Sequence, residues 1–202
     1  HLNEMKTIYE IFNHSAELAI DAGFYGVEIH MGHGYLVDQF LDSNVNDRKD
    51  IYGGSIINRI RFASELLKSV IKKIGQERIM VRISPSRMMG GLYEWPDKIE
   101  LLRELIKDFN SSGLRQLDIS CANSNYFETS GKIIKEIKNL WPHIIIGGAS
   151  LKIEEAEKEV EIGNLDLVTW GRAIIANPDF VRLIEKNLPL KVFEDSMRET
   201  LF

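Results

Sequence analysis

The sequence predicts a parallel α/β chain of the (β/α)8, or TIM, barrel class, and three observations carry that prediction. Short β-rich runs alternate with stretches of helical periodicity five times along 202 residues, an order that requires crossover helices and a parallel sheet. The fingerprint G-x-G-x-x-G expected after a strand of a dinucleotide-binding, doubly wound sheet is missing. Gly147-Gly148 and Gly171-Arg172 follow the last two strand runs, where a barrel commonly seats a phosphate on bare backbone N–H groups.

Taken in order, Ile8, Ile11, Phe12, Ala16, Ala19 and Ala22 recur at helical spacing, with Asn3 placed to cap the start and Gly23 to end it. A strand over residues 26–30 follows, then a long polar loop, 44–54, and Ser55 as N-cap of a helix through Ile60, Ala63, Leu67 and Val70 that stops at Gly75. Residues 79–84 read as a buried strand carrying one charge, Arg82. An arginine in such a run is costly unless it meets an anion or several acceptors, so Arg82 is either a ligand contact or half of an internal salt bridge. After the loop 85–96, whose Met88, Met89, Tyr93 and Trp95 suit a mobile lid or a cover for the rim, Asp97 and Glu100 form a capping pair for a helix ended near Gly113. Strands over 117–120, 144–146 and 165–170 alternate with helices marked by Ile133, Ile134 and Ile137, by Ile153, Ala156 and Val160 behind Ser150 as cap, and by a last one opened by Asn177-Pro178-Asp179.

The stretch Gly26-Val27-Glu28-Ile29-His30-Met31-Gly32-His33-Gly34-Tyr35 stands out chemically. A strand delivers two imidazoles and a phenol onto a glycine-broken turn, and residues at the carboxyl ends of barrel strands line the active site. His30, His33 and Tyr35 are therefore the candidate catalytic residues.

Composition removes several function classes. A net charge of −5 with no long basic run argues against a nucleic-acid surface. No apolar run approaches the roughly 18 residues of a membrane span, so no membrane partner is expected. A lone cysteine, Cys121, cannot form an internal disulfide, which suits a reducing cytoplasm.

The strings Gly26-Val27-Glu28-Ile29-His30, His33-Gly34-Tyr35-Leu36, Gln39-Phe40-Leu41, Tyr52-Gly53-Gly54-Ser55, Asn58-Arg59, Val81-Arg82-Ile83-Ser84-Pro85 and Gly171-Arg172 with Ala176-Asn177-Pro178-Asp179 resemble the Old Yellow Enzyme family. That resemblance implies an FMN-dependent NAD(P)H:flavin oxidoreductase acting on an activated alkene, an enone-like small molecule, with NADH or NADPH as donor. It also implies that residues 1–202 are one domain forming the C-terminal portion of the barrel, its last five βα units or so. A chain of those strands alone leaves two unpaired edges, which favour association into homo-oligomers. Carried over by position, His30 and His33 hold the substrate carbonyl and Tyr35 is the proton donor, a role suited to a phenol that ordinarily stays protonated at neutral pH. Arg82 faces the flavin, and Gly147, Gly148, Gly171 and Arg172 seat the FMN phosphate. Asn46, Arg48, Asp50 and Tyr52 tie down the long loop. Asp42-Ser43 departs from the family's Ser-Pro, which predicts a less rigid loop, and 120–123 is not a close match, which leaves that loop's substrate contacts open.

Three other readings stand beside this one. The same glycines and Arg172 suit a non-redox phosphate-binding aldolase or isomerase. Glu28, His30 and His33 suit a metal hydrolase, although alternation puts only Glu28 and His30 on one side and no third convergent histidine or aspartate is evident, so no metal is expected. An inactive half-barrel fragment is the third.

Overall fold

The computed structural model describes residues 2–88 and 90–199, and the chain divides into two compact units, His1–Val168 and Thr169–Phe202. Met89 of the predicted lid lies outside the described residues.

The first unit is a five-stranded parallel sheet with helices crossing over between its strands. In chain order it runs α1 (Leu2–Asp21), β1 (Val27–Met31), α2 (Leu36–Leu41), α3 (Ile56–Ile74), β2 (Ile79–Ile83), β3 (Ser86–Met88), β4 (Leu92–Glu94), α4 (Lys98–Ser112), β5 (Gln116–Ile119), α5 (Ser130–Ile137), β6 (Ile144–Gly147), α6 (Ile153–Glu161) and β7 (Leu167–Val168). The sheet order is β1-β2-β5-β6-β7, and β3 and β4 pair separately as an antiparallel hairpin.

The pleat sorts the side chains. Residues Ile29 and Met31, Ile79, Val81 and Ile83, Leu117 and Ile119 lie on one face and are 0–3% exposed. Each such side chain contributes about 1.5 to 3 kcal/mol when fully buried. The alternate positions put Glu28 and His30, Met80 and Arg82, and Asp118 on the opposite face, with His30 opposite Arg82 and Arg82 opposite Asp118 in register. A one-residue slip would exchange the apolar and charged faces, so this register is strongly specified.

At β6 the layer spacing is set by a missing side chain. A Cβ on Gly147 would stand 2.8 Å from Ile134 Cδ1 and 2.9 Å from Leu165 Cδ2. The glycine there is explained by close helix–sheet packing.

Most helix ends follow the sequence. The Ser55 side chain accepts a hydrogen bond from the Asn58 N–H, and Gly113 ends α4 in the left-handed region. The predicted stops Gly23, Gly75 and Gly163 likewise have positive φ. Three caps differ. Position 3 lies inside α1, and α6 starts after Lys152, two residues beyond Ser150. Asp97 stands at the N-cap of α4 but makes no side-chain cap bond, because its carboxylate pairs with Arg59. Arg59, 2% exposed, also donates to the carbonyls of Leu41 and Gly54. A buried guanidinium needs those acceptors more than a helix terminus needs one cap.

The loop 44–54 is tied as expected. Asn46 Nδ2 donates to the carbonyls of Phe40 and Tyr52, both at 2.7 Å, and Arg48 pairs with Asp50. Tyr52 donates to Glu65 at 2.8 Å.

In the second unit, α7 (Arg172–Ala176) and α8 (Phe180–Glu185) flank Asn177. The Asn177 side chain bridges the Ala173 carbonyl and both backbone groups of Lys191. No helix among the described residues is long and apolar enough to cross a membrane.

Candidate active site

The site grows from the carboxyl end of β1. His30 occupies the last position of that strand on the charged face, and the chain then turns through Gly32, where a Cβ would meet Ser84 at 2.7 Å. His33 and Gly34 both take positive φ, 55° and 79°, and this double left-handed turn folds the chain back. It brings the His33 and Tyr35 rings each to 5.2 Å from the His30 ring, centroid to centroid. The three residues singled out in the sequence therefore converge.

Both imidazoles are held in the neutral form. Burial pushes His33 down to about 4, with His30, once protonated, and the guanidinium charges of Arg82 and Arg87 acting in the same direction. His30 is lowered by burial first and then by Arg82. The Ala122 N–H points at His33 Nε2 over 3.4 Å, and Ser120 Oγ lies 3.5 Å from the same nitrogen. An amide can only donate, so Nε2 accepts and the ring proton of neutral His33 resides on Nδ1. The loop after β5, which had no clear family match, thus selects the tautomer of His33. Nitrogen-detected NMR of the imidazoles is expected to show His33 neutral, protonated at Nδ1, from pH 7.5 to about 5 and titrating near 4. An imidazole of ordinary pKa near 6.5 at this position would contradict the arrangement.

Arg82 lies below, 31% exposed in its side chain. Its Nε and Nη2 donate to Asp118 Oδ2 at 2.8 and 2.7 Å, and Nη2 pairs with Glu28 at 3.1 Å. Burial raises the pKa of both carboxylic acids, and Arg82 opposes that rise. Of the two sequence alternatives for Arg82, the internal salt bridge is the one observed. Two of its nitrogens are in an internal ion-pair network, while Nη1 has no partner among the described residues.

A second network supports the turn and was not visible in the sequence. Arg87 on β3 is 6% exposed and pairs with Asp38 and Asp42 of the α2 segment, both 0% exposed. Tyr93 donates to Asp42 at 2.8 Å, Trp95 Nε1 donates to Asp38 at 3.0 Å, and the Arg87 guanidinium lies 4.5 Å from the Tyr93 ring centroid. Asp42 also accepts from the Asn44 N–H at 3.0 Å. The expectation that Asp42-Ser43 loosens the loop is therefore corrected: Asp42 anchors it. Tyr93 and Trp95 are likewise cover pinned to α2, and not a free lid.

Gly148 is buried, and its carbonyl accepts from Ser130 Oγ at 2.7 Å. Gly171 and Arg172, in the second unit, are exposed at the start of α7. Among the described residues no group of three His, Cys, Asp or Glu side chains could hold a metal ion.

The model of the NADH:flavin oxidoreductase / NADH oxidase family matches residues 2–191. This chain belongs to that family. Among its relatives in the family, a probable flavin mononucleotide-dependent alkene reductase of Leishmania infantum is 37% identical over 187 residues, 93% of this chain and 50% of its own length. A putative 12-oxophytodienoate reductase-like protein of Arabidopsis thaliana is 35% identical over 191 residues, 93% of this chain and 59% of its own. The old yellow enzyme homologue of Zymomonas mobilis superposes with a TM-score of 0.89 at 28% identity, over 98% of this chain and 56% of that one. The family fold is the TIM barrel, and the five parallel strands are part of it. The chain spans about half the length of the relatives it matches.

Proposed function

We propose that this protein is an FMN-dependent ene reductase, taking reducing equivalents from NADH or NADPH and passing them to an activated alkene such as an α,β-unsaturated carbonyl. The observation that carries the reading is the convergence of two neutral imidazoles and a phenol at the strand end where His30 stands opposite Arg82. The names of the relatives, an alkene reductase and an oxophytodienoate reductase-like protein, support the same chemistry.

The residues fit a flavin. Arg82 Nη1 offers donors to the carbonyl-rich end of an isoalloxazine ring, and Asp118 and Glu28 fix the guanidinium in place. For the phosphate we assign Gly147, Gly148, Gly171 and Arg172, as the sequence resemblance has them; Arg172 supplies a cationic fork of the kind that suits phosphate. FMN, when bound, supplies the hydride chemistry that no side chain can perform.

The protein's own groups then do three things. His33 Nδ1–H and the His30 ring meet the substrate carbonyl oxygen, where negative charge builds as the alkene is reduced. Donors fixed there beforehand stabilise that charge more than the ground state. Tyr35 O–H gives the proton that completes the saturated carbon. Keeping both imidazoles neutral matters because a cation at His33 would need the buried pocket to solvate it.

A small soluble enone is the proposed substrate and the cytoplasm the proposed compartment, the latter supported by the lone, buried Cys121. Nothing observed favours the aldolase or isomerase reading. The test is a visible spectrum of the protein supplied with FMN, followed by anaerobic addition of NADPH and then of 2-cyclohexenone. The expected sequence is a bound-flavin spectrum, bleaching, and restoration by the enone. A protein that takes up no FMN would overturn the proposal.

A further inference from the structure

We propose that Asp38, locked by Arg87, is the positioning residue of the His33–Tyr35 turn, and so sets how the substrate carbonyl is held; this rests on the ene-reductase reading above. The turn is intrinsically unfavourable. His33 adopts a φ of 55°, a region that non-glycine residues occupy only when their surroundings impose it. The imposing contacts fall on Gly34, the residue between the two catalytic candidates. Its N–H donates to Asp38 Oδ2 at 2.8 Å and its carbonyl accepts from Gln39 Nε2 at 2.8 Å.

Asp38 is itself over-determined. It is 0% exposed, receives Trp95 Nε1 on Oδ1 at 3.0 Å and pairs through Oδ2 with Arg87. Arg87 also fills the space beside the turn, because a Cβ on Gly34 would stand 3.8 Å from its Cζ and Nε. One buried carboxylate oxygen is therefore shared by the backbone of the turn and the guanidinium of the β3–β4 hairpin. Asp38 reaches the substrate through the Gly34 backbone and need not touch it.

The test compares the wild-type protein with Asp38→Ala and Asp38→Asn. Amide exchange at Gly34, followed by NMR without flavin, is expected to quicken by at least about ten-fold in Asp38→Ala. It should stay near wild type in Asp38→Asn, whose amide oxygen can still accept. With FMN bound and photoreduced, reoxidation by 2-cyclohexenone is expected to slow about 10- to 100-fold in Asp38→Ala. Reoxidation by dioxygen, which needs no carbonyl donors, should change less than about two-fold by the same argument. Wild-type Gly34 protection and wild-type enone rates in Asp38→Ala would overturn the proposal, as would an equal loss with enone and dioxygen. If Asp38→Ala does not fold, Asp38→Ser, too short to reach Gly34, is subject to the same expectations. A wild-type protein that binds FMN but is not reoxidised by enone overturns the ene-reductase reading instead, and Gly34 exchange still reports on the turn.

Discussion

Replacing His30 or His33 with alanine is expected to slow enone-dependent reoxidation of the bound flavin by about 10²- to 10³-fold for each variant. The size follows from where the rings sit. They lie 5.2 Å apart, partly withdrawn from water, and are neutral at pH 7. A donor lost from such a site is not replaced by bulk solvent of equal strength. The double variant should lose less than the product of the two single losses, because in the proposed mechanism both donors serve one oxygen and act as a unit. His33→Asn keeps an N–H and should lose less than about ten-fold, in line with one weakened hydrogen bond. Stopped-flow reoxidation with 2-cyclohexenone separates these cases. Retained FMN with a wild-type enone rate in both alanine variants would remove the histidines from the chemistry.

Arg87→Met is expected to be the most destabilising single substitution of the site, at about 3 to 5 kcal/mol near neutral pH. It strands two carboxylates, Asp38 and Asp42, that are 0% exposed. The loss has a pH signature. Burial already raises Asp38 to about 6, while the Arg87 charge works against that rise, so removing the cation raises it further. The folded variant then binds a proton that the unfolded chain, with an ordinary carboxylate near 4, does not hold. Its stability must increase as pH falls from 7.5 through the raised value, and that gain is complete only below the unfolded pKa. Urea unfolding at pH 7.5 and 5.5 should show the deficit against wild type shrinking by roughly 1 to 2 kcal/mol. A deficit independent of pH would mean that lost packing of the Arg87 stem, not stranded charge, dominates.

These networks mark where the sequence could be read and where it could not. His30, His33 and Tyr35 were legible because their convergence is local: a strand end and one turn bring them together within six residues. The five sheet strands were legible for the same reason, each being a short apolar run closed by a turn. The hairpin over 86–94 was not. Its strands are three residues each and show no alternation, and they are held by partners such as Asp42, 45 positions from Arg87. The short helix α2 also went unread, since its six residues follow an N-cap, Tyr35, that makes no side-chain cap bond. Asp97 and Glu100 looked like a capping pair because spacing alone cannot reveal Arg59, which takes the Asp97 carboxylate from 38 positions away. Arg82 was ambiguous between ligand contact and ion pair because spacing alone cannot reveal Asp118, which pairs with it from 36 positions away.

The way the β3–β4 hairpin is fastened separates its feet from its tip. Arg87, Tyr93 and Trp95 carry the attachments, whereas Met88 and Leu92 are 44% and 51% exposed and a Cβ at Gly90 or Gly91 would meet nothing within 4 Å among the described residues. Chain can be inserted or exchanged at that tip while the anchored ends stay in register, and each doubling of its length adds only about 0.6 kcal/mol of closure entropy. The segment is thus a natural cassette: a tip whose sequence can drift or be grafted, on a base that continues to grip the His33–Tyr35 turn through Asp38.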